Sequence, residues 1–201
     1  MLLVIDCATA ACSAALVSPD GELVDERHEI VGRGHAERLA PMLADLLGGR
    51  IANSILVDCG PGSFTGVRVG LAAAHGLAIG WKVPLAGYSS LAAVAVAAAG
   101  EADLAVALLG GHGELFVQNY GGDPIAPLDA LRSLAPAEAA AQVSAELVLG
   151  SGAEALVVAR GSGRWRDALP HAADARLLPL ALRSLAPRPI YGRAPDAKPM
   201  R

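Results

Sequence analysis

The stretch that decides the fold reads Asp58-Cys59-Gly60-Pro61-Gly62-Ser63-Phe64-Thr65-Gly66-Val67-Arg68-Val69-Gly70. The apolar run 55–57 leads into it and predicts a buried strand. The Gly-Pro-Gly triplet predicts a turn, and Ser63 predicts the N-cap of a helix continuing to about Gly80, because its hydroxyl can accept from the first helical turn. A strand, a glycine turn and a helix N-terminus often hold a phosphate, so a nucleotide loop is the first hypothesis.

The spacing of this stretch argues against the two standard nucleotide loops. A P-loop requires lysine and then serine or threonine after its last glycine, whereas Val67 and Arg68 follow Gly66. The dinucleotide fingerprint requires its third glycine one residue earlier, and an acidic residue about 20 positions further on is missing. Another reason for the glycines is therefore needed.

Glycines inside the predicted helix each cost about 1 kcal/mol relative to alanine. One ridge of the helix is made mostly of small residues that would let another helix approach closely: Gly66, Gly70, Ala73 and Leu77. The neighbouring ridge suits burial against a sheet: Val67, Leu71, Ala74 and Ala78. The spacing leaves open whether the approaching helix belongs to this chain or to another subunit.

Residues 60–70, followed by Gly76-Leu77-Ala78, Pro84 and residues 87–91, resemble the TsaB (YeaZ) family. That family comprises the non-catalytic paralogues of TsaD in the synthesis of threonylcarbamoyladenosine beside the tRNA anticodon. The resemblance implies a cytoplasmic scaffold or activating subunit that pairs with the metal-bearing TsaD and with the ATPase TsaE. It would reach tRNA through that complex.

The expected fold is α/β, an actin-like ATPase (RNase H-like) fold with two tandem lobes, each a mixed sheet flanked by helices. Three strands are predicted first, at 2–6, 13–18 and 22–29. This pattern alone supports only a mixed α/β sheet, and the specific fold comes from the resemblance. The expected division is an N-terminal lobe at 1–100, a smaller lobe at 101–186, and a proline-rich tail at 187–201 that packs back.

Later segments predict further elements of both lobes. Ser89 is expected to cap an alanine-rich helix at 91–99. A hairpin of strands 104–109 and 114–120 is expected to open the second lobe. Pro136 is expected to begin a short helix, and 146–149 to form a strand.

The segment His35–Leu47 predicts an amphipathic helix, although Pro41 favours a regular start only near Arg38. In the TsaB family this helix and the 66–80 helix pair with another actin-like subunit. The resemblance thus implies that these residues bind a partner: His35, Arg38, Leu39, Met42, Leu43, Leu46, Phe64, Gly66, Arg68, Val69, Gly70, Ala73 and Leu77. The same surface would build a homodimer, and sequence does not separate the two assemblies.

No residue is assigned to catalysis or to a metal. In register with TsaD, the two metal-binding histidines fall on Ser90 and Val94, and valine cannot ligate a metal. A remnant nucleotide cleft is expected from Asp6, Gly110, Gly111, Gly150 and Gly152. No cofactor is expected on the chain alone, and ATP or ADP would be bound by the complex. The alternatives are a small-molecule kinase or ATPase of the actin-like superfamily and a regulatory homodimer.

Composition and charge bear on which ligands and which cellular location the sequence predicts. The net charge of −4 gives no general field for binding polyanions, and the one local basic cluster with an aromatic residue is 160–166. Three cysteines without a C-x-x-C pair are typical of reduced thiols in a cytosolic protein. The uncharged run 83–100 is long enough for a membrane span, but proline, glycine and serine break it, so no span is expected. Asp6 and the lack of a basic leader argue against a signal peptide.

Overall fold

A computed structural model describes residues 1–101 and 103–192. They form an α/β structure with two mixed sheets, which confirms the predicted fold class. The expectation for the tail falls partly on residues 193–201, which lie outside the described residues. None of the described helices is long and apolar enough to cross a membrane.

The first sheet has five strands in the order β3-β2-β1-β4-β5. Its first three strands are antiparallel neighbours, and β4 and β5 run parallel to β1. The bounds are β1 Leu2–Asp6, β2 Ala11–Val17, β3 Leu23–Ile30, β4 Ser54–Asp58 and β5 Leu85–Tyr88. The prediction of β1 is confirmed, while β2 and β3 are shifted by one or two residues.

Three helices cover this sheet: α1 His35–Leu47, α2 Phe64–Trp81 and α3 Ser90–Val96. Side chains alternate across β1. Leu3 and Ile5 join the apolar cluster shared with α1 and α2, whereas Val4 joins the cluster shared with α3. The pair α1 and α2 therefore lies on one face of the sheet, and α3 lies on the other.

The predicted helix His35–Leu47 is confirmed with both bounds, and only the expected regular start near Arg38 is wrong, because α1 begins at His35 with Pro41 inside it. The proline ring points to solvent and removes only one hydrogen bond, while the buried stripe of the helix holds it on the sheet. Helix α3 ends at Val96 rather than at Ala99, because the chain there winds into tighter turns.

The second sheet continues the chain in the order β11-β10-β6-β7-β8, with β9 paired to β7. The bounds are β6 Leu104–Leu109, β7 Leu115–Gly121, β8 Ala126–Pro127, β9 Arg132–Leu134, β10 Leu147–Leu149 and β11 Arg164–Arg166. Its helices are α4 Pro136–Gln142 and α5 Ala153–Arg160. The predicted hairpin of β6 and β7 and the helix beginning at Pro136 are confirmed.

The last described residues return to the first sheet. The Ala172 N–H donates to the buried Ser13 hydroxyl over 3.0 Å, and Leu185 forms an antiparallel bridge with Gly87. The Ile190 N–H donates to the Cys59 carbonyl oxygen at the glycine turn, over 2.8 Å. Residues far apart in sequence thus meet at the start of α2. The predicted domain boundaries stay predictions.

Candidate functional site

The glycine turn is held against the β1–β2 connection by backbone contacts. The Ser63 N–H donates to the Ala8 carbonyl oxygen over 2.6 Å, and a Cβ at Gly62 would lie 1.9 Å from the same oxygen. A Cβ at Gly66 would lie 2.0 Å from the Cys7 carbonyl oxygen. The Ser63 hydroxyl accepts from the Gly66 N–H over 3.2 Å, which confirms the predicted N-cap. These two glycines permit a close approach of backbones, and no phosphate is needed to explain them.

The predicted small-residue ridge of α2 needs correction. Gly66 and Gly70 are buried against this chain's own sheet, with Cys7 as their neighbour, so a partner helix does not reach them. The rest of that ridge, Ala73 and Leu77, is half-buried and packs with Val69 against the cluster that α1 and the sheet share. The buried end of the ridge thus packs on the chain's own sheet and β1–β2 connection, whereas the sequence had left open a helix of this chain or of another subunit.

The α1 residues predicted to bind a partner are also mostly internal. Five side chains are buried in the first core: His35, Leu39, Met42, Leu43 and Leu46. The His35 ring nitrogen Nε2 lies 2.9 Å from the Thr9 carbonyl oxygen, which fixes α1 to the β1–β2 connection. Arg38 is exposed, but its guanidinium pairs with both oxygens of Glu29. These five side chains hold α1 on the sheet, and their part in binding a partner stays a prediction.

The solvent side of the two helices forms a different surface, which we call the outer face. Its small and apolar residues are Ala36, Ala40 and Ala44 of α1 and Ala72, Gly76 and Ile79 of α2, and the exposed Glu37, Asp45 and His75 lie on the same two helices. A Cβ at Gly76 would meet nothing within 4 Å, and Ile79 is 77% exposed, so neither residue is accounted for by contacts within residues 1–101 and 103–192.

A cleft of about 720 Å³ is lined mainly by the β1–β2 connection, by the glycine turn with the start of α2, and by the turn between β6 and β7. Of the predicted nucleotide-cleft residues, Gly110 and Gly111 line it. Asp6 does not, because it is fully buried. A Cβ at Gly150 would lie 2.3 Å from the Ala107 carbonyl oxygen, and one at Gly152 would lie 2.7 Å from a leucine methyl of β7. Neither glycine lines the cleft, although Ser151 between them does, and their part in a nucleotide site stays a prediction.

Sequence reasoning missed the composition of the cleft wall. The guanidinium carbon of Arg68 lies 3.4 Å from the ring centroid of Phe64. Nη2 of Arg68 donates to the Tyr191 hydroxyl over 3.2 Å, although the two residues are 123 positions apart. Phe64 and Arg68 were predicted to bind a partner, and the structure places them in the cleft. No local pattern in the sequence links α2 to Tyr191.

Two buried carboxyl groups, Asp6 and Asp58, lie at the ends of β1 and β4. The Tyr88 hydroxyl donates to Oδ2 of Asp6 over 2.9 Å. The Ser90 hydroxyl lies 2.7 Å from Oδ2 of Asp58, and the Gly60 N–H donates to Oδ1 over 2.7 Å. Burial, and next the Asp6 charge, raises the pKa of Asp58 well above its usual range. Burial also raises the pKa of Asp6, against the hydrogen bonds it accepts from Asp58 and Tyr88. The pKa of each of the two carboxyl groups is therefore raised chiefly by its burial.

The two positions that align with the TsaD metal ligands belong to the core. Ser90 is fully buried on Asp58, and Val94 is 2% exposed in the cluster around α3. Within 1–101 and 103–192, no three histidine, cysteine or carboxylate side chains are grouped so that they could hold a metal ion.

Each arginine of the basic cluster at 160–166 has hydrogen-bond partners within the chain. Arg160 donates to the carbonyl oxygens of Val143 and Ala145, at 2.9 and 2.8 Å. Arg164 pairs with Glu146, and Arg166 pairs with Glu101. Nucleic-acid phosphates would have to compete with these partners.

Comparison with known proteins identifies the family. The family model described as TsaD, tRNA N6-adenosine threonylcarbamoyltransferase, matches residues 27–163, which is more than half of the chain. The tRNA threonylcarbamoyladenosine biosynthesis protein TsaB of Escherichia coli is 43% identical over 99 residues, covering 47% of this chain and 42% of that protein. The matched segment thus spans less than half the length of this relative.

Longer matches cover nearly the whole chain. An uncharacterized protein of Mycobacterium bovis is 34% identical over 99% of this chain and 94% of its own length. The solved structure of YeaZ from Pseudomonas aeruginosa superposes with a TM-score of 0.79 at 29% identity, covering 94% of this chain and 98% of YeaZ. The chain belongs to the TsaB (YeaZ) family, whose members are paralogues of TsaD.

Proposed function

We propose that this chain is a scaffold subunit in the synthesis of threonylcarbamoyladenosine in tRNA, and that it pairs with a TsaD-type catalytic subunit through the outer face. The observation that carries the proposal is that Gly76 and Ile79 both lie on the solvent side of α2, away from the core that the other side of the helix packs on. The Escherichia coli relative is named for the biosynthesis of threonylcarbamoyladenosine in tRNA, and that name suggests the process in which this chain acts.

The chemistry of the outer face suits a helix-to-helix contact. Helices pack 8–10 Å apart at distances set by the contact side chains, and glycine and alanine favour the short end. Gly76 costs about 1 kcal/mol relative to alanine within the helix, and no described residue lies within 4 Å of where its Cβ would be, so close packing inside the described part of the chain does not offset that cost. A partner helix seated over Gly76 and Ala72 would offset it and would bury Ile79.

The bond-making step is assigned to the partner. Ser90 and Val94 occupy core positions where the catalytic paralogue has histidines, and the buried Asp58 is already bonded to Ser90. An ATPase of the TsaE type would join the pair, with ATP or ADP bound by the complex. The tRNA would be reached through that complex, in the cytoplasm.

Size-exclusion chromatography with light scattering tests the pairing. The chain, mixed with the TsaD-type subunit of the same organism, is expected to give a heteromeric species. Gly76→Leu should abolish that species, because the added side chain pushes the helices apart. Ala141→Leu, an exposed alanine on α4, is the matched control and should leave the species unchanged. Two unchanged peaks with the wild-type mixture would contradict the scaffold function. A heteromer that survives Gly76→Leu would place the interface elsewhere.

A homodimer through the same outer face is the second assembly that we propose. A two-fold contact would set Gly76 of one copy near the outer face of the other, since such interfaces are self-complementary. Light scattering of the chain alone should then give the dimer mass at high concentration. Addition of the TsaD-type subunit should convert the dimer into the heteromer.

A further inference from the structure

Two of the three cysteines lie side by side in the first core. Cys7 directly follows β1, and Cys12 is the second residue of β2. The antiparallel register pairs Asp6 with Ser13, so Cys7 and Cys12 take the next opposed positions at the end of the ladder. Their sulfur atoms lie 3.5 Å apart. Opposed residues of antiparallel strands have Cα atoms about 4.5–5.5 Å apart, which is within the range that a disulfide can bridge.

Backbone contacts hold the loop between the two cysteines. The Ala8 carbonyl oxygen accepts from the Ser63 N–H over 2.6 Å. The Ala10 carbonyl oxygen accepts from the Gly32 N–H over 3.0 Å. The loop therefore has little freedom to separate the two thiols in the folded chain. Two groups that are held in contact react with each other far more readily than two groups that must first meet.

The third cysteine provides a contrast within the same core. Cys59 is as buried as the other two, but its sulfur lies 3.6 Å from the Val57 carbonyl oxygen and 3.8 Å from the Ala186 carbonyl oxygen. In the part of the chain that the structure describes, its hydrogen-bonding neighbours do not include another thiol. A carbonyl oxygen cannot form a disulfide, so an oxidised Cys59 has no group beside it to form one with.

We propose that Cys7 and Cys12 are a modification site, at which hydrogen peroxide converts the two thiols into a reversible disulfide. One thiol attacks the peroxide and becomes a sulfenic acid, and one water molecule leaves. The other thiol then attacks that sulfur, the S–S bond forms, and the oxygen leaves as a second water molecule. The two sulfurs are oxidised, and the peroxide is reduced. This chemistry belongs to the isolated chain and does not depend on the proposed pairing.

Hydrogen peroxide suits this buried pair better than a larger oxidant. Both thiols are buried, but Thr9 and Ala10 in the loop between them line the open cleft. An oxidant little larger than water needs only a small local opening of that loop, whereas glutathione disulfide needs a large one. The hydrogen bond between the two thiols lowers the pKa of Cys12, against its burial, and raises that of Cys7. Because the thiolate is the nucleophile, Cys12 attacks the peroxide first.

Peptide mass spectrometry on the full chain tests the proposal. The folded chain is treated with hydrogen peroxide, then with catalase, and is unfolded and labelled with N-ethylmaleimide. Trypsin leaves both cysteines of the pair in peptide 1–27 and Cys59 in peptide 51–68. Peptide 1–27 is expected without label and lighter by two hydrogen atoms than its reduced form, whereas peptide 51–68 should carry its label. Dithiothreitol, added before labelling, should restore both labels on peptide 1–27.

The chain offers a matched control for this experiment. Cys59→Ala also removes a buried thiol, and it should leave the bridge intact. Cys12→Ala should keep the label on Cys7. Cys7→Ala should leave Cys12 as a sulfenic acid that dimedone traps. Circular dichroism checks that each variant and the oxidised chain are folded.

Four results would overturn the proposal. The folded wild type could keep both labels on peptide 1–27 after peroxide treatment. Its two cysteines could be oxidised to sulfinic acids without a bridge, or either could be bridged to Cys59 instead. The bridge between Cys7 and Cys12 could also form only when the chain is unfolded in urea, which would show that the folded structure does not prepare the pair.

Discussion

The two ends of α2 use glycine for opposite reasons. Near its N-terminus, Gly66 and Gly70 face β1, and Gly66 leaves no room for a Cβ beside the Cys7 carbonyl oxygen. Near its C-terminus, Gly76 and Gly80 face solvent, and a Cβ at either would meet nothing within 4 Å. The first pair is needed for the monomer to fold. The second pair weakens the helix without any packing that the described residues show, and the partner contact proposed above would account for Gly76.

This difference separates folding residues from candidate interface residues on one helix. A sequence pattern treats all four glycines alike, since each lowers helix propensity by a similar amount. The four glycines differ in burial, and substitutions at the buried and the exposed pair should therefore differ in their effect on the free energy of unfolding.

The largest effect is expected for Gly66→Ala. The new Cβ would lie 2.0 Å from the Cys7 carbonyl oxygen, which is backbone and cannot rotate away. We expect a loss of about 3 kcal/mol or more in the free energy of unfolding, at the upper end for overpacked sites. Urea denaturation followed by circular dichroism measures it. Wild-type stability in this variant would mean that α2 does not sit on the β1–β2 connection as described.

At position 70 we expect the protein to tolerate a methyl group but to lose stability with a larger side chain. In Gly70→Ala the new Cβ would lie 3.5 Å from Cys7 Cβ, an ordinary contact, so the variant should unfold close to the wild type. Gly70→Leu should lose about 1–3 kcal/mol, because the extra atoms enter a packed core. The same urea titration compares them. If Gly70→Leu kept full stability but lost the partner, Gly70 would belong to the interface after all.

The free energy of unfolding should also depend on pH. Asp58, which accepts a hydrogen bond from the Gly60 N–H in the turn before α2, is a buried carboxyl group. An unfolded aspartate loses its proton near 3.8, whereas the folded pKa of Asp58 is raised. Above pH 3.8 the folded state therefore binds more protons than the unfolded state, and stability falls as the pH rises towards the folded pKa. The slope approaches about 1.4 kcal/mol per pH unit for one proton.

Asp58→Asn should flatten that slope, since the amide can donate to Asp6 and still accept from Ser90 and Gly60 without titrating. Unfolding curves between pH 4 and 8, for wild type and variant, provide the comparison. An equal slope in both would assign the pH dependence to other groups. Gly76→Ala, on the exposed side, should keep the wild-type slope.

The smallest effect, of opposite sign, is expected for Gly76→Ala. Alanine meets nothing there and improves the helix, so the monomer should gain about 0.5–1 kcal/mol. Thermal unfolding of the monomer measures the gain. A loss of stability would show that Gly76 is not open to solvent, and would remove the argument for the outer face.

Several features of this protein were readable from the sequence alone. The strand around 55–57, the glycine turn, the Ser63 cap and the helix after it were predicted because each depends on neighbouring residues. Helical periodicity also predicted the sheet-facing ridge, in which Val67, Leu71 and Ala74 are buried and Ala78 is half-buried. The family could be assigned at the same stage, since one contiguous run carries its motif.

Only the tertiary structure decided which face of each element is used. Periodicity shows that Gly66 and Gly70 share a ridge, but it does not show that β1 already occupies it. The cleft wall joins Arg68 to Tyr191, and the two buried carboxyl groups with raised pKa values come from β1 and β4. Such contacts depend on how distant segments pack, because a side chain's pKa and access to a ligand are set by neighbours in space. The sequence determined the elements, and packing determined which of their surfaces remain open to a partner or a ligand.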